Sequence, residues 1–164
     1  MSDIHPPPNT RRVILVGYHQ SPASEHALGV ATHLATEFVA RLHVVQVVNH
    51  RDHVRDWDPA ELGQQWLQQV WAEFEHIKSA LATWPGEWTY DTERGDPVRV
   101  LADIARYDGA AMVVVGSNHN SRLGNELAGL LGTAHSAPDV WGTPGIPVFE
   151  VHCATRIDSV DPPP

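Results

Sequence analysis

Basic residues are scarce: 11 Lys and Arg stand against 20 Asp and Glu in 164 residues, a formal net charge of −9. That balance argues against nucleic acid or an anionic membrane as the main partner, because either wants a basic patch. Cysteine is nearly absent. The lone Cys153 excludes an intramolecular disulfide and fits a reducing compartment. No apolar run approaches the roughly 20 residues of a bilayer span, and the N-terminus lacks the apolar core of a secretion signal. The expectation is a soluble cytoplasmic domain, long enough to bury about two thirds of its unfolded surface in one core. Residues 1–10 and 154–164 are polar and proline-rich, so they are expected as disordered tails around one domain at 11–153.

What is present is alternation of strand and helix signals. Arg12 to Gly17 reads as a buried strand, and Ser21-Pro22 then supplies a cap with proline at the first helical position. The helix that follows places Ala27, Ala31, Leu34 and Phe38 on one face. Leu42 to Val48 is a second strand, rich in β-branched residues. After a charged connection at Asn49–Trp57, Asp58-Pro59-Ala60-Glu61 resembles a capping box. It opens a helix with an apolar stripe of Leu62, Trp66, Val70, Phe74, Ile77 and Leu81. Glu87 to Glu93 alternates weakly and predicts a strand near a sheet edge. Gly95-Asp96-Pro97 repeats the cap-and-proline device ahead of a helix facing inward with Val98, Leu101, Ala102 and Ala105. Ala111–Val115 and Pro147–Val151 complete five strands. Strands alternating with helices predict an α/β, doubly wound parallel sheet of the Rossmann-like kind with right-handed crossovers.

In such sheets ligands bind beyond the carboxyl ends of the strands, where the winding reverses. The run Val113-Val114-Val115 breaks at Gly116 into Ser117, Asn118, His119 and Asn120 before a helix-like segment. A strand that ends in glycine and feeds a helix is how α/β proteins build phosphate sites. Glycine there is also an ordinary turn residue, so the local pattern leaves both readings open. His19 follows the first strand and His119 the fourth, with His50 just past the second. Converging neutral imidazoles bind zinc or a similar ion, but no metal-ligand spacing supports a designed site. A pH-sensitive crevice and separate surface histidines are the alternatives, the latter also for His26 and His33. Ser21 and Ser117 lie near these bases, yet nothing resembles a nucleophile elbow, and Cys153 falls after the last strand.

Four stretches carry a resemblance: VILVGYHQSPASEHAL (13–28), VVQVV (44–48), GDPVRVLADIA (95–105) and AMVVVGS (111–117). Together they resemble the universal stress protein family. The resemblance implies a sheet in the order 3-2-1-4-5, adenine nucleotide alpha-hydrolase-like. It also implies a non-catalytic role in stress adaptation and, often, homodimers formed through the last strand, here Val148, Phe149 and Val151. Members that bind ATP carry an Asp after strand one and the signature G-x2-G-x9-G-[ST] after strand four. By that pattern the nucleotide-binding positions are Gly17, His19, Val47, Gly116, Ser117, His119 and Gly129.

Three of the pattern's contacts are altered. His19 stands at the Asp position, His119 at the second glycine, and Leu130 at the hydroxyl residue. An imidazole on a Cβ obstructs the close approach of backbone N–H groups to phosphate, and leucine donates no hydrogen bond. At about 1.5 kcal/mol per lost contact the three sum to roughly 4–5 kcal/mol, over a thousandfold in affinity. The expectation is a degenerate crevice with no firm cofactor and at most weak ATP binding. The alternative is an ATP-binding switch in which Gly132-Thr133, three residues on, replaces the missing pair. The clustered Trp57, Trp66, Trp71, Trp84 and Trp88 are expected to pack under the connection, with Trp71 one position off its helix stripe and partly exposed.

Overall fold

Two helices start as the serine and aspartate caps demand. In the computed structural model Ser21 Oγ accepts from Ser24 N at 3.2 Å, and Pro22 opens α1 (Pro22–Phe38). Asp96 accepts from Arg99 N at 3.2 Å ahead of α3 (Pro97–Asp108), with α2 (Pro59–Ala80) between the two. The strands are β1 (Val13–Tyr18), β2 (Arg41–Val48), β3 (Trp88–Arg94), β4 (Met112–Ser117) and β5 (Val148–His152), with α4 (Leu123–Leu130) between the last two. The structure describes residues 12–19, 21–48, 59–117, 122–132 and 145–152. The tails, Cys153 and the proposed cap Asp58 lie outside them.

All pairings are parallel, and the sheet order is β3-β2-β1-β4-β5. Alternation along each strand divides the apolar side chains between two faces. Ile14, Val16, Leu42, Val44 and Val114 meet Ala27 and Ala31 of α1, Ile77 of α2 and Leu81 just after it. Leu15, Val45, Val113 and Val115 meet Leu101, Ala102 and Ala105 of α3 and Leu127 of α4. This is the doubly wound sheet that the alternation predicts, with β3 at an edge as expected.

Two helical stripes differ from expectation. Phe38 is 46 % exposed, because it ends α1 where the chain leaves through Val39, a left-handed residue with φ 52°. Along α2 only Ile77 and Leu81 of the expected stripe are fully buried, and Trp66, Val70 and Phe74 remain partly exposed. The side chain of Leu62 lies outside the described residues. Trp71 is 61 % exposed, as its offset predicts.

Candidate functional site

The winding reverses between β1 and β4, which pair with Gly17 opposite Val115. Their carboxyl ends therefore define the crevice. After β1 the chain turns at once into α1, and the turn satisfies itself: the His19 backbone N–H donates to Ser24 Oγ at 3.2 Å. The His19 side chain is exposed at this end. Across from it, Gly116 lies against the first turn of α1, so close that an added Cβ would stand 2.5 Å from both Ala23 O and Ser24 N. Ser117, next in β4, is buried.

Gly17 has a packing reason too, since a Cβ there would come 2.8 Å from Leu101 Cδ1 of α3. Val47 sits near the end of β2, partly buried against the core shared with α3 and α4. These two glycines and the apolar Val47 let helices and strand ends close together.

Beyond β4, Arg122 precedes α4. Glu150 of β5 lays its carboxylate on the first turn of this helix, where a Cβ on Gly124 would come 2.7 Å from Glu150 Cδ. Gly129 lies inside α4, exposed, with open space where a Cβ would project. Leu130 ends the helix at 45 % exposure, and its carbonyl accepts a hydrogen bond from Arg106 Nη2 of α3. Gly132 then takes φ 75°, the left-handed conformation that glycine supplies after a helix.

The structure thus brings Gly17, His19, Gly116 and Ser117 together at the ends of β1 and β4. Gly129 it places on a separate helix. Asn118, His119, Asn120, His50 and Thr133 lie outside the described residues. His26 and His33 are exposed on α1. Among the described residues no group of three or more His, Cys, Asp and Glu could hold a metal ion. His43 is engaged elsewhere, in the first half of β2, with Nε2 2.6 Å from Asp91 Oδ2 and Nδ1 on Asp108.

A polar cluster beside the crevice escaped the sequence reading. Tyr18, the last residue of β1, is buried, and burial first, then the charges of Glu25 and Glu73, pushes its phenol up to about 12. Glu73 of α2 is 2 % exposed, and burial likewise raises its carboxyl above the ordinary value. Gln46 is buried beside them and accepts from Tyr90 Oη, which in turn accepts from Thr92 Oγ1 at 3.3 Å. A signal for Glu73 existed: positions 66, 70, 73, 77 and 81 share a helical face, and the apolar Phe74 drew the stripe one residue aside.

With this geometry in place, comparison with known proteins gives a definite answer. A family model described as the universal stress protein family matches residues 10–132. The chain belongs to that family. Solved structures share its fold. A universal stress protein family member from Burkholderia pseudomallei is 22 % identical, with TM-score 0.62, over 88 % of this chain and 98 % of that one. A universal stress protein in complex with cAMP is 17 % identical, with TM-score 0.62, over 88 % and 99 % of the two chains. The Archaeoglobus fulgidus universal stress protein in complex with dAMP is 13 % identical, with TM-score 0.56, over 86 % and 97 %. The sheet order is that of the adenine nucleotide alpha-hydrolase-like fold. A comparison with curated proteins yields no match. Among the described residues no helix is long and apolar enough to cross a membrane.

Proposed function

We propose that this universal stress protein is a non-catalytic, cytoplasmic stress-adaptation protein that works as a homodimer and takes adenine nucleotide only weakly. The observation that carries the reading is His19, an exposed imidazole at the end of β1, at the position where the resemblance to ATP-binding members implies an Asp. An imidazole does not accept two hydrogen bonds from a nucleoside as a carboxylate does. Glu150 supports the same reading, because its negative charge on the first turn of α4 opposes a phosphate approaching that helix end. Solved relatives in complex with cAMP and dAMP support an adenine nucleotide as the ligand class.

The dimer is proposed through β5, an edge strand of the sheet. Val148 and Val151 pack into this chain's own two cores, which leaves Phe149, 44 % exposed, as the apolar group offered outward. An apolar edge strand is stabilised by pairing with its own copy. Sedimentation of the wild type and of Phe149→Asp tests this: a dimer that becomes a monomer supports it, and a wild-type monomer refutes it.

One observation favours a second reading, an ATP-binding switch. Gly132, left-handed at φ 75° and followed in sequence by Thr133, is a glycine-hydroxyl pair just after α4. The test is to denature freshly purified protein, run the supernatant on an anion-exchange column, and titrate stripped protein with Mg-ATP in a calorimeter. Absence of nucleotide and of heat below the millimolar range supports the weak crevice. Bound adenine nucleotide, or a low micromolar dissociation constant, overturns it in favour of the switch.

A further inference from the structure

Helix α2 is seated on the sheet by one end. Ile77 and Leu81 are buried, whereas Val70 and Trp66, further toward its N-terminus, stay partly exposed. Between these two regimes lies Glu73. Its Oε1 accepts from Gln69 Nε2 at 3.3 Å on the same helix, but its Oε2 is sealed from solvent with no hydrogen-bond partner. Across the seam the Tyr18 hydroxyl is also sealed and unpartnered. Two facing elements therefore each bury an incomplete polar atom at the place where α2 begins to loosen.

Burial outweighs the groups around Glu73 that favour its ionised form, the side chains of Gln69 and Gln46 and the charges of His19 and His76. From β1 and its end come Tyr18 and His19, from β2 Gln46, from β3 Tyr90, and from α2 itself Gln69 and His76. His19 is exposed, and His76 is engaged by Glu25 of α1 at 2.8 Å. Arg94 of β3 stacks over the Trp66 ring, 4.5 Å from its centroid. Among the described residues no lysine or arginine forms an ion pair with Glu73. A carboxylate taken out of water without a lysine or arginine partner is disfavoured relative to a neutral carboxyl. The direction of the Glu73 pKa, raised by burial, agrees.

We propose that Glu73 is a proton-operated latch: α2 lies fully on the sheet while this carboxyl is neutral, and its ionisation releases the N-terminal half of the helix. Ile77 and Leu81 hold the other half in place. Release in a minor fraction of molecules transiently uncovers Tyr18, the residue before His19, so the state of the latch reaches the β1 end of the crevice while Tyr18 stays covered in the rest. Acid conditions close the helix and higher pH opens it. Glu73 itself is not one of the nucleotide positions, although its cluster adjoins them at His19, and the latch does not depend on whether the crevice binds ATP.

Amide hydrogen exchange of residues 66–73 from about pH 4 to pH 8, corrected for intrinsic rates, tests the latch in the whole chain. In the wild type the opening constant should rise about tenfold per pH unit between the ordinary glutamate value and the raised one. In Glu73→Gln, which cannot ionise, the profile should be flat, while amides of β1 and β4 stay protected in both proteins. A flat wild-type profile, or the same slope in both proteins, overturns the proposal. Should Glu73→Gln not fold, carbon-13 NMR titration of the wild-type Glu73 carboxyl decides. A raised midpoint shared with shifts in the α2 amides supports the latch, and an ordinary carboxylate midpoint ends it.

Discussion

Gly116 at the end of β4 and Ala23 in the first turn of α1 touch backbone to backbone, and a Cβ on the glycine would stand 2.5 Å from the Ala23 carbonyl oxygen. The first glycine of the nucleotide signature is thus demanded here by packing, whatever the crevice binds. Gly116→Ala is expected to destabilise by about 1–3 kcal/mol, since backbone rather than a flexible side chain must yield. Gly129→Ala, inside α4 with open space around it, should instead stabilise by about 0.5–1 kcal/mol through helix propensity. Urea unfolding of the two variants checks both signs.

Val39 is the sole non-glycine residue at positive φ among those described, with φ 52° and ψ 46°. Its N–H closes α1 on the carbonyls of Ala35 and Thr36, so the conformation is required and the side chain is not. A β-branched side chain in the left-handed region costs about 1–2 kcal/mol, and Val39 is 74 % exposed, so little packing offsets that cost. Val39→Gly is expected to stabilise by about 1 kcal/mol and raise Tm by roughly 2–4 °C. An unchanged or lower Tm in a thermal scan would count against the strain.

Most of the fold was legible because local signals agreed. Ser21-Pro22 and Asp96-Pro97 set helix starts that the hydrogen bonds to Ser24 and Arg99 reproduce. The β-branched runs fell on buried strands, and the resemblance to universal stress proteins supplied their order. The α2 face was legible only in part: Phe74 packs on Trp88 and Tyr90 as its place in the stripe predicts, but apolar character passes over its buried neighbour Glu73. Nothing in periodicity says that a glutamate will be buried. The packing roles of Gly17 and Gly116 were equally hidden, since the same glycines satisfy a ligand signature. That Gly129 falls within α4 while Gly132 ends it follows from where the helix stops, which motif spacing does not encode.

Tyr18 gives a pH-dependent prediction whose sign can be worked out. Its phenol ionises at about 12 in the folded chain against 10 ordinarily, with burial the main cause. The unfolded chain therefore ionises first, and stability is lost as pH rises from 10 towards 12, with none lost below. Tyr18→Phe removes this loss. It also deletes a buried hydroxyl that has no partner, so at neutral pH it should stabilise by up to about 1 kcal/mol. Denaturation at neutral and alkaline pH should show the variant's advantage widening over that interval. A constant difference would place the alkaline loss elsewhere.

If His19 and His119 are what weaken the crevice, restoring the family's residues should strengthen it. His19 is the cleaner case, because its backbone N–H is already held by Ser24 and its side chain is exposed. An aspartate there inherits a fixed turn and presents a carboxylate without repacking. Each regained hydrogen-bonding contact is worth about 1.5 kcal/mol, roughly tenfold in affinity. His19→Asp should therefore tighten Mg-ATP binding about tenfold, and His19→Asp with His119→Gly about a hundredfold, if the two act independently. Calorimetric titration of stripped protein reads this directly. Equal affinity in all three proteins would mean that Glu150 of β5, set against the first turn of α4, and not the two histidines, sets the limit, and Glu150→Gln would then be the variant that gains.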